Sequence, residues 1–136
     1  MTLVIDASVA LKWVLDEPGQ SAADALLEED LIAPSLWLLE AASALWRRAR
    51  RGELQAEEAA EHLSELFNAP VTAIPIEEDL QAAAVLAQRL GHAVYDCLYL
   101  ALAVRERTRV VTADRRFWTV VQKVPDLASY VRLLEN

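Results

Sequence analysis

Hydrophobic positions along this chain fall into two patterns, short unbroken runs and longer stretches of helical period. Leu3-Val4-Ile5 is a brief apolar run suited to a buried strand, and it ends at Asp6. Ser21 to Glu29 reads as a helix with Ser21 at its cap. Leu31-Ile32-Ala33 is a second strand run, closed by Pro34. Ser35 is then placed to cap a long helix to about Arg51, stopped by Gly52. Gln55 to Asn68 carries Ala59, Leu63 and Leu66 at helical spacing. Val71 to Ile76 is strand-like, and Glu78 to Leu90 is helical with Gly91 as its C-cap. Val94 to Thr108 is a strongly apolar helix, and Arg109-Val110-Val111-Thr112 is the clearest last strand. The tail from Pro125 to Asn136 reads as a short strand followed by a helical turn. Strands alternating with helices predict one α/β domain over residues 1–136 with a mainly parallel sheet.

A composition of 54% hydrophobic and 25% charged residues is globular and sufficient for a real core. The lone cysteine, Cys97, makes no internal disulfide and reads as a small buried apolar residue. An acid interrupts the apolar N-terminal run, which lacks a basic start, so a signal peptide is not expected. No apolar stretch is long enough to cross a bilayer, and a cytoplasmic protein is the expectation. The net charge of −8 runs against a nucleic-acid enzyme, because phosphate binding rests on basic surface. Location qualifies that sum. Glu57, Glu58, Glu77, Glu78 and Asp79 sit at helix starts, where the dipole favours acids, and read as its partners on solvated faces. The arginines instead come in clumps, notably Arg47, Arg48, Arg50 and Arg51, then Arg115 and Arg116.

Three acids stand alone in apolar sequence. Asp6 is the only charge between Met1 and Leu11, Glu40 between Pro34 and Trp46, and Asp96 between Ala93 and Val104. An ionised carboxylate in apolar surroundings is costly unless a partner or a metal compensates it. Asp6 ends the first strand and Asp114 follows the last, at the sheet edge where parallel α/β folds bind ligands. Glu40 and Asp96 lie in opening turns of helices that start near that edge. Four converging carboxylates would raise one another's pKa values, a conflict that a divalent cation removes. Oxygen-only donors favour Mg²⁺ or Mn²⁺, which suits phosphodiester hydrolysis. Cys97, His62 and His92 are too few and scattered for a zinc site, and both histidines read as surface residues. Ser8 and Thr112 are placed either to hold a metal-bound water or to orient Asp6 and Asp114.

On the long helix, Leu38, Ala41, Ala42, Leu45, Trp46 and Ala49 form the expected core stripe. Glu40 faces away from it, with Arg47 and Arg51 nearly in line behind, where a phosphate backbone could run. Trp37, at the border of the stripe, is a candidate dimer or partner contact.

The segments Val4-Ile5-Asp6-Ala7-Ser8, Leu39-Glu40, Tyr95-Asp96-Cys97-Leu98-Tyr99-Leu100-Ala101-Leu102-Ala103 and Val111-Thr112-Ala113-Asp114-Arg115-Arg116-Phe117 together resemble the PIN domain. The likeness is greatest to the VapC toxins of toxin–antitoxin pairs, in order and spacing over the whole chain. It implies a three-layer α/β/α fold and Mg²⁺- or Mn²⁺-dependent RNA cleavage at Asp6, Glu40, Asp96 and Asp114. It further implies a homodimer and inhibition by a VapB-like antitoxin. Arg115 and Arg116 join Arg47 and Arg51 as candidate contacts to the RNA backbone.

Two other acid-based chemistries fail on sequence. A phospho-accepting receiver needs paired acids after its first strand and a lysine after its last; here stand Ile-Asp-Ala-Ser and Thr-Ala-Asp-Arg. An aspartyl phosphatase needs Asp-x-Asp, and Ser8 occupies the second position. The remaining rival is a PIN-like module that binds RNA or protein without cutting.

Overall fold

The computed structural model describes residues 1–135. Its sheet has five strands: β1 (Thr2–Ile5), β2 (Asp30–Pro34), β3 (Val71–Ile74), β4 (Val110–Thr112) and β5 (Val131–Leu133). They lie in the order β3-β2-β1-β4-β5, and every pairing is parallel. The unbroken apolar runs of β1, β2 and β4 occupy the centre, where both faces are covered and alternation is not required. The edge strand β3 is only half-buried.

Among the described residues seven α-helices connect the strands: α1 (Ala7–Ala10), α2 (Gln20–Ala25), α3 (Trp37–Arg50), α4 (Ala56–Phe67), α5 (Glu77–Leu90), α6 (Val94–Arg105) and α7 (Arg115–Gln122). The strand order dictates their placement. From β1 the chain steps to β2 and β3 on one side, then returns across the sheet to β4 and β5 on the other. Right-handed crossovers put α1–α4 on one face and α5–α7 on the opposite face. The result is the expected three-layer α/β/α fold, with the winding reversing between β1 and β4. In such sheets that reversal opens a crevice at the carboxyl ends of the strands.

Helix α6 explains its own apolar composition. Cys97 through Ala103 are all buried, because the helix packs on β1, β2 and β4 while α5 covers it from outside. The α3 helix ends in a left-handed turn at Gly52 (φ 78°), where the Gly52 and Glu53 N–H groups donate to the carbonyls of Ala49 and Arg48. Asp79, expected on a solvated face, is instead buried at the start of α5, where it accepts two hydrogen bonds from Arg105 of α6, at 2.7 and 2.9 Å.

Several expectations are corrected. Neither Ser21 nor Ser35 caps a helix; those positions belong to Gly19 and Leu36, with no side-chain cap bond. The buried line of α3 is Trp37, Ala41 and Leu45, whereas Trp46 is 60% exposed beside α4. Helix α3 packs against both α1 and α4, so its apolar residues form two stripes rather than one. Trp37, 3% exposed, belongs to the core and not to a contact surface. The tail runs in the reverse of the expected order, a 3₁₀ turn (Ala128–Tyr130) followed by β5. Helices α1 and α7 stand where the hydrophobic pattern predicts no element.

Candidate active site

Asp6 is the first residue after β1, and its N–H donates to the Val111 carbonyl of the neighbouring strand at 3.1 Å. That pairing fixes it at the reversal point, where it is only 8% exposed. Its Oδ2 accepts from the Thr112 hydroxyl at 2.6 Å and from the Ser8 hydroxyl at 2.8 Å. Each hydroxyl also accepts a backbone N–H at 3.0 Å, Thr112 from Asp114 and Ser8 from Ala113. Those acceptances leave each hydroxyl proton free for Asp6. Both hydroxyls therefore hold one oxygen of the Asp6 carboxylate.

Glu40 lies in the opening turn of α3, half-buried, and its Oε1 accepts from the buried Tyr99 hydroxyl at 2.5 Å. It does not turn away from the core; it sits at the edge of the buried line. Asp96 lies in the first turn of α6, with its Oδ2 2.6 Å from Nε2 of His92. Gly91 (φ 61°) ends α5 in a left-handed turn that places His92 there, and the imidazole packs on Phe117 with ring centroids 5.1 Å apart. His92 is thus a site residue rather than a free surface histidine. Asp114 is the N-cap of α7, its Oδ1 accepting from the N–H groups of Arg116 and Phe117 at 3.0 and 3.3 Å.

These acids feel one another. Burial pushes the Asp6 carboxyl up to about 6; the Thr112 and Ser8 hydrogen bonds oppose this, while the charges of Asp96 and Asp114 add to it. Burial likewise lifts Glu40 to about 7, opposed by Tyr99 and Arg47 and reinforced by Asp6 and Asp96. Cys97, one residue beyond Asp96, is raised to about 11 by burial, a poor state for a nucleophile. The Tyr99 hydroxyl is raised well beyond its ordinary range by burial and by the charges of Asp6 and Glu40.

The donor set fits a hard divalent cation in chemistry. Each of the four carboxylates has one oxygen engaged by a neutral donor or by His92. The other oxygen has no hydrogen bond among the described residues. Closure on a single point is not yet made: among the described residues, no three acid, histidine or cysteine side chains stand close enough to share an ion.

The arginines divide. Arg47 lines a cleft with Glu40. Arg51 is paired to Glu53 at 2.8 Å, and Arg48 to Glu17 at 2.9 Å. Arg116 is exposed, while Arg115 lines a separate cavity with Trp118 and Leu133 that none of the four acids touches.

Comparison with known proteins identifies the family and the fold. The sequence profile of the PIN domain matches residues 3–122. Ribonuclease VapC3 of Pyrobaculum aerophilum is 35% identical over 133 residues, covering 95% of this chain and 99% of that relative. The crystal structure of PAE2754 from the same organism superposes with a TM-score of 0.70 at 23% identity, covering 88% of this chain and 79% of that one. VapBC2 from Rickettsia felis, bound to a DNA fragment from their promoter, superposes with a TM-score of 0.64 at 12% identity, covering 99% of this chain and 100% of that one. At those identities the two structures speak to the fold.

Proposed function

The chain belongs to the PIN domain family, and from that premise we propose that it is a VapC-like endoribonuclease, the toxin of a VapBC-type toxin–antitoxin pair. The observation that carries the reading is that Asp6, at the point where the sheet reverses its winding, and Glu40 are each pushed toward neutrality by burial and by neighbouring acids, Asp96 and Asp114 acting on Asp6, and Asp6 and Asp96 on Glu40. Identity to a ribonuclease over nearly the whole of both chains supports it.

Asp6, Glu40 and Asp96 would hold Mg²⁺ or Mn²⁺, with Asp114 completing the set. Such an ion supplies Lewis acidity and charge neutralisation for the attack of water on phosphorus. The protein's own part is positioning. Ser8 and Thr112 fix one oxygen of Asp6, Tyr99 fixes one of Glu40 and His92 one of Asp96. Each acid is thereby oriented with its second oxygen free. Arg47 offers a cation to the strand beside Glu40. A VapB-like antitoxin, a homodimer and a cytoplasmic setting belong to the same reading. Among the described residues, no helix is long and apolar enough to cross a membrane.

The rival, a PIN-like module that binds without cutting, has in its favour the separation of the acids as they rest. Incubation with end-labelled RNA separates the two. Cleavage is expected with Mn²⁺, none with EDTA, and none from Asp6→Asn or Asp96→Asn. Cleavage that survives both substitutions identifies a contaminant and defeats the proposal.

A further inference from the structure

Beside the acids lies a cleft of about 280 Å³, and apart from Glu40 and Arg47 no residue of its walls has a part in the catalytic argument. Leu36, Leu39, Ser43 and Tyr95 line it together with Glu40 and Arg47. Leu39 is 66% exposed and Tyr95 61% exposed, and each immediately precedes a site acid, Glu40 and Asp96. Neither side chain contributes to the core. Folding leaves a leucine and a phenol in water against a charged pocket, which is costly unless something covers them.

We infer that this cleft is a nucleobase subsite for single-stranded RNA, with Tyr95 as its stacking plane; the inference rests on the nuclease reading above. Its occupant must offer a flat apolar face to Tyr95 and Leu39 and an anion to Arg47, and must thread past Glu40 to the other acids. A nucleotide next to the scissile phosphate has those parts in that order. Base stacking on an aromatic ring is the common device of single-strand recognition, and it tolerates any base because every base has a π face. A basic peptide would be drawn to the acids but repelled by Arg47, and an acidic peptide offers a plane only where it happens to carry an aromatic residue, whereas every nucleotide carries both a plane and an anion. Tyr95 then sets how tightly the strand adjoining the cut is gripped. The acids set the chemistry.

The test uses a short mixed-sequence single-stranded RNA carrying aminopurine, whose fluorescence is quenched by stacking. Tyr95→Ala is expected to raise KM for cleavage by about 5- to 150-fold with kcat nearly kept, and Tyr95→Phe to restore it. In the Asp6→Asn background, binding should quench aminopurine, and Tyr95→Ala should abolish the quench while Tyr95→Phe retains it. Equal KM and equal quench in Tyr95→Ala overturn the subsite while leaving the nuclease reading intact. A changed solution mass in Tyr95→Ala with unchanged RNA binding also overturns it, assigning the face to a protein interface. If the wild type cuts no RNA, the nuclease reading falls separately, and the quench comparison still decides the subsite.

Discussion

The Tyr99 hydroxyl stands 2.5 Å from Oε1 of Glu40 and donates to it, although 59 residues separate the two. The bond joins α6 to the opening turn of α3, helices on opposite faces of the sheet that meet over its carboxyl edge. It both aims the carboxylate and eases its ionisation, because the phenol hydrogen-bonds the charged form. Tyr99→Phe is therefore expected to cost about 1 kcal/mol of stability. It should also move the acid limb of the kcat/KM profile to higher pH, since protons compete with the ion for Glu40. An unmoved acid limb would contradict this role.

The pH dependence of stability follows from the two raised carboxyls. Asp6 stands near 6 against an ordinary 3.8, and Glu40 near 7 against 4.5. The folded protein holds these protons more tightly than the unfolded chain, so its stability falls as pH rises between about 4 and about 7. Below that window both states are protonated, and the contribution is fully present. Asn at position 6 cannot ionise. In metal-free protein, Asp6→Asn should raise Tm at pH 8 relative to wild type and have a smaller effect at pH 5. Mn²⁺ should raise the wild-type Tm at pH 8 more than at pH 5 and leave Asp6→Asn little changed. Thermal melts across pH decide it; an Asp6→Asn difference that is flat with pH sinks the claim.

If Asp96 is a metal ligand as proposed, His92 would bear on ion binding through its 2.6 Å contact with that carboxylate. Removing a group that orients a ligand carboxylate typically weakens metal binding about 10- to 100-fold. His92→Ala should show that loss in a calorimetric Mn²⁺ titration, with His92→Gln recovering part of it. Unchanged affinity would reduce the 2.6 Å contact to packing.

Asp79 offers a control outside the site. Its carboxylate is buried and held by two hydrogen bonds from Arg105, clamping α5 to the helix that carries Asp96 and Tyr99. Asp79→Ala leaves Arg105 with only the longer pairing to Glu78, at 3.6 Å. The expected loss is about 2 kcal/mol in urea unfolding, below the range for wholly buried pairs because Arg105 keeps contact with water. Cleavage at low temperature should be unaffected. A stability change near zero would count against the clamp.

How much of this was legible in the sequence depended on whether the signal was local. Leu3-Val4-Ile5 and Val110-Val111-Thr112 read as strands because a strand buried on both faces needs no alternation. Asp6, Glu40 and Asp96 stood out because each was the only charge in its apolar neighbourhood. Their partners were hidden. Nothing in the sequence couples Tyr99 to Glu40, which meet only once the sheet has been wound both ways. His92 and Asp96 do share an i, i+4 spacing, but His92 lies before the helix, where that spacing carries no weight. Helix α1 is too short to display a period. In α7, Asp114 followed by Phe117 and Val121 was a readable cap and apolar face, masked by the arginine pair at its start. The wheel of α3 misassigned Trp46 because one helix there serves two packing partners.

The central claim is that these distant carboxylates share one divalent ion, and diffraction from a manganese-soaked crystal tests it most directly. An anomalous peak is predicted in contact with Asp6 and at least two of Glu40, Asp96 and Asp114, and absent in Asp6→Asn. Full soaking with no peak there, or carboxylates still turned to their separate partners, would contradict the account.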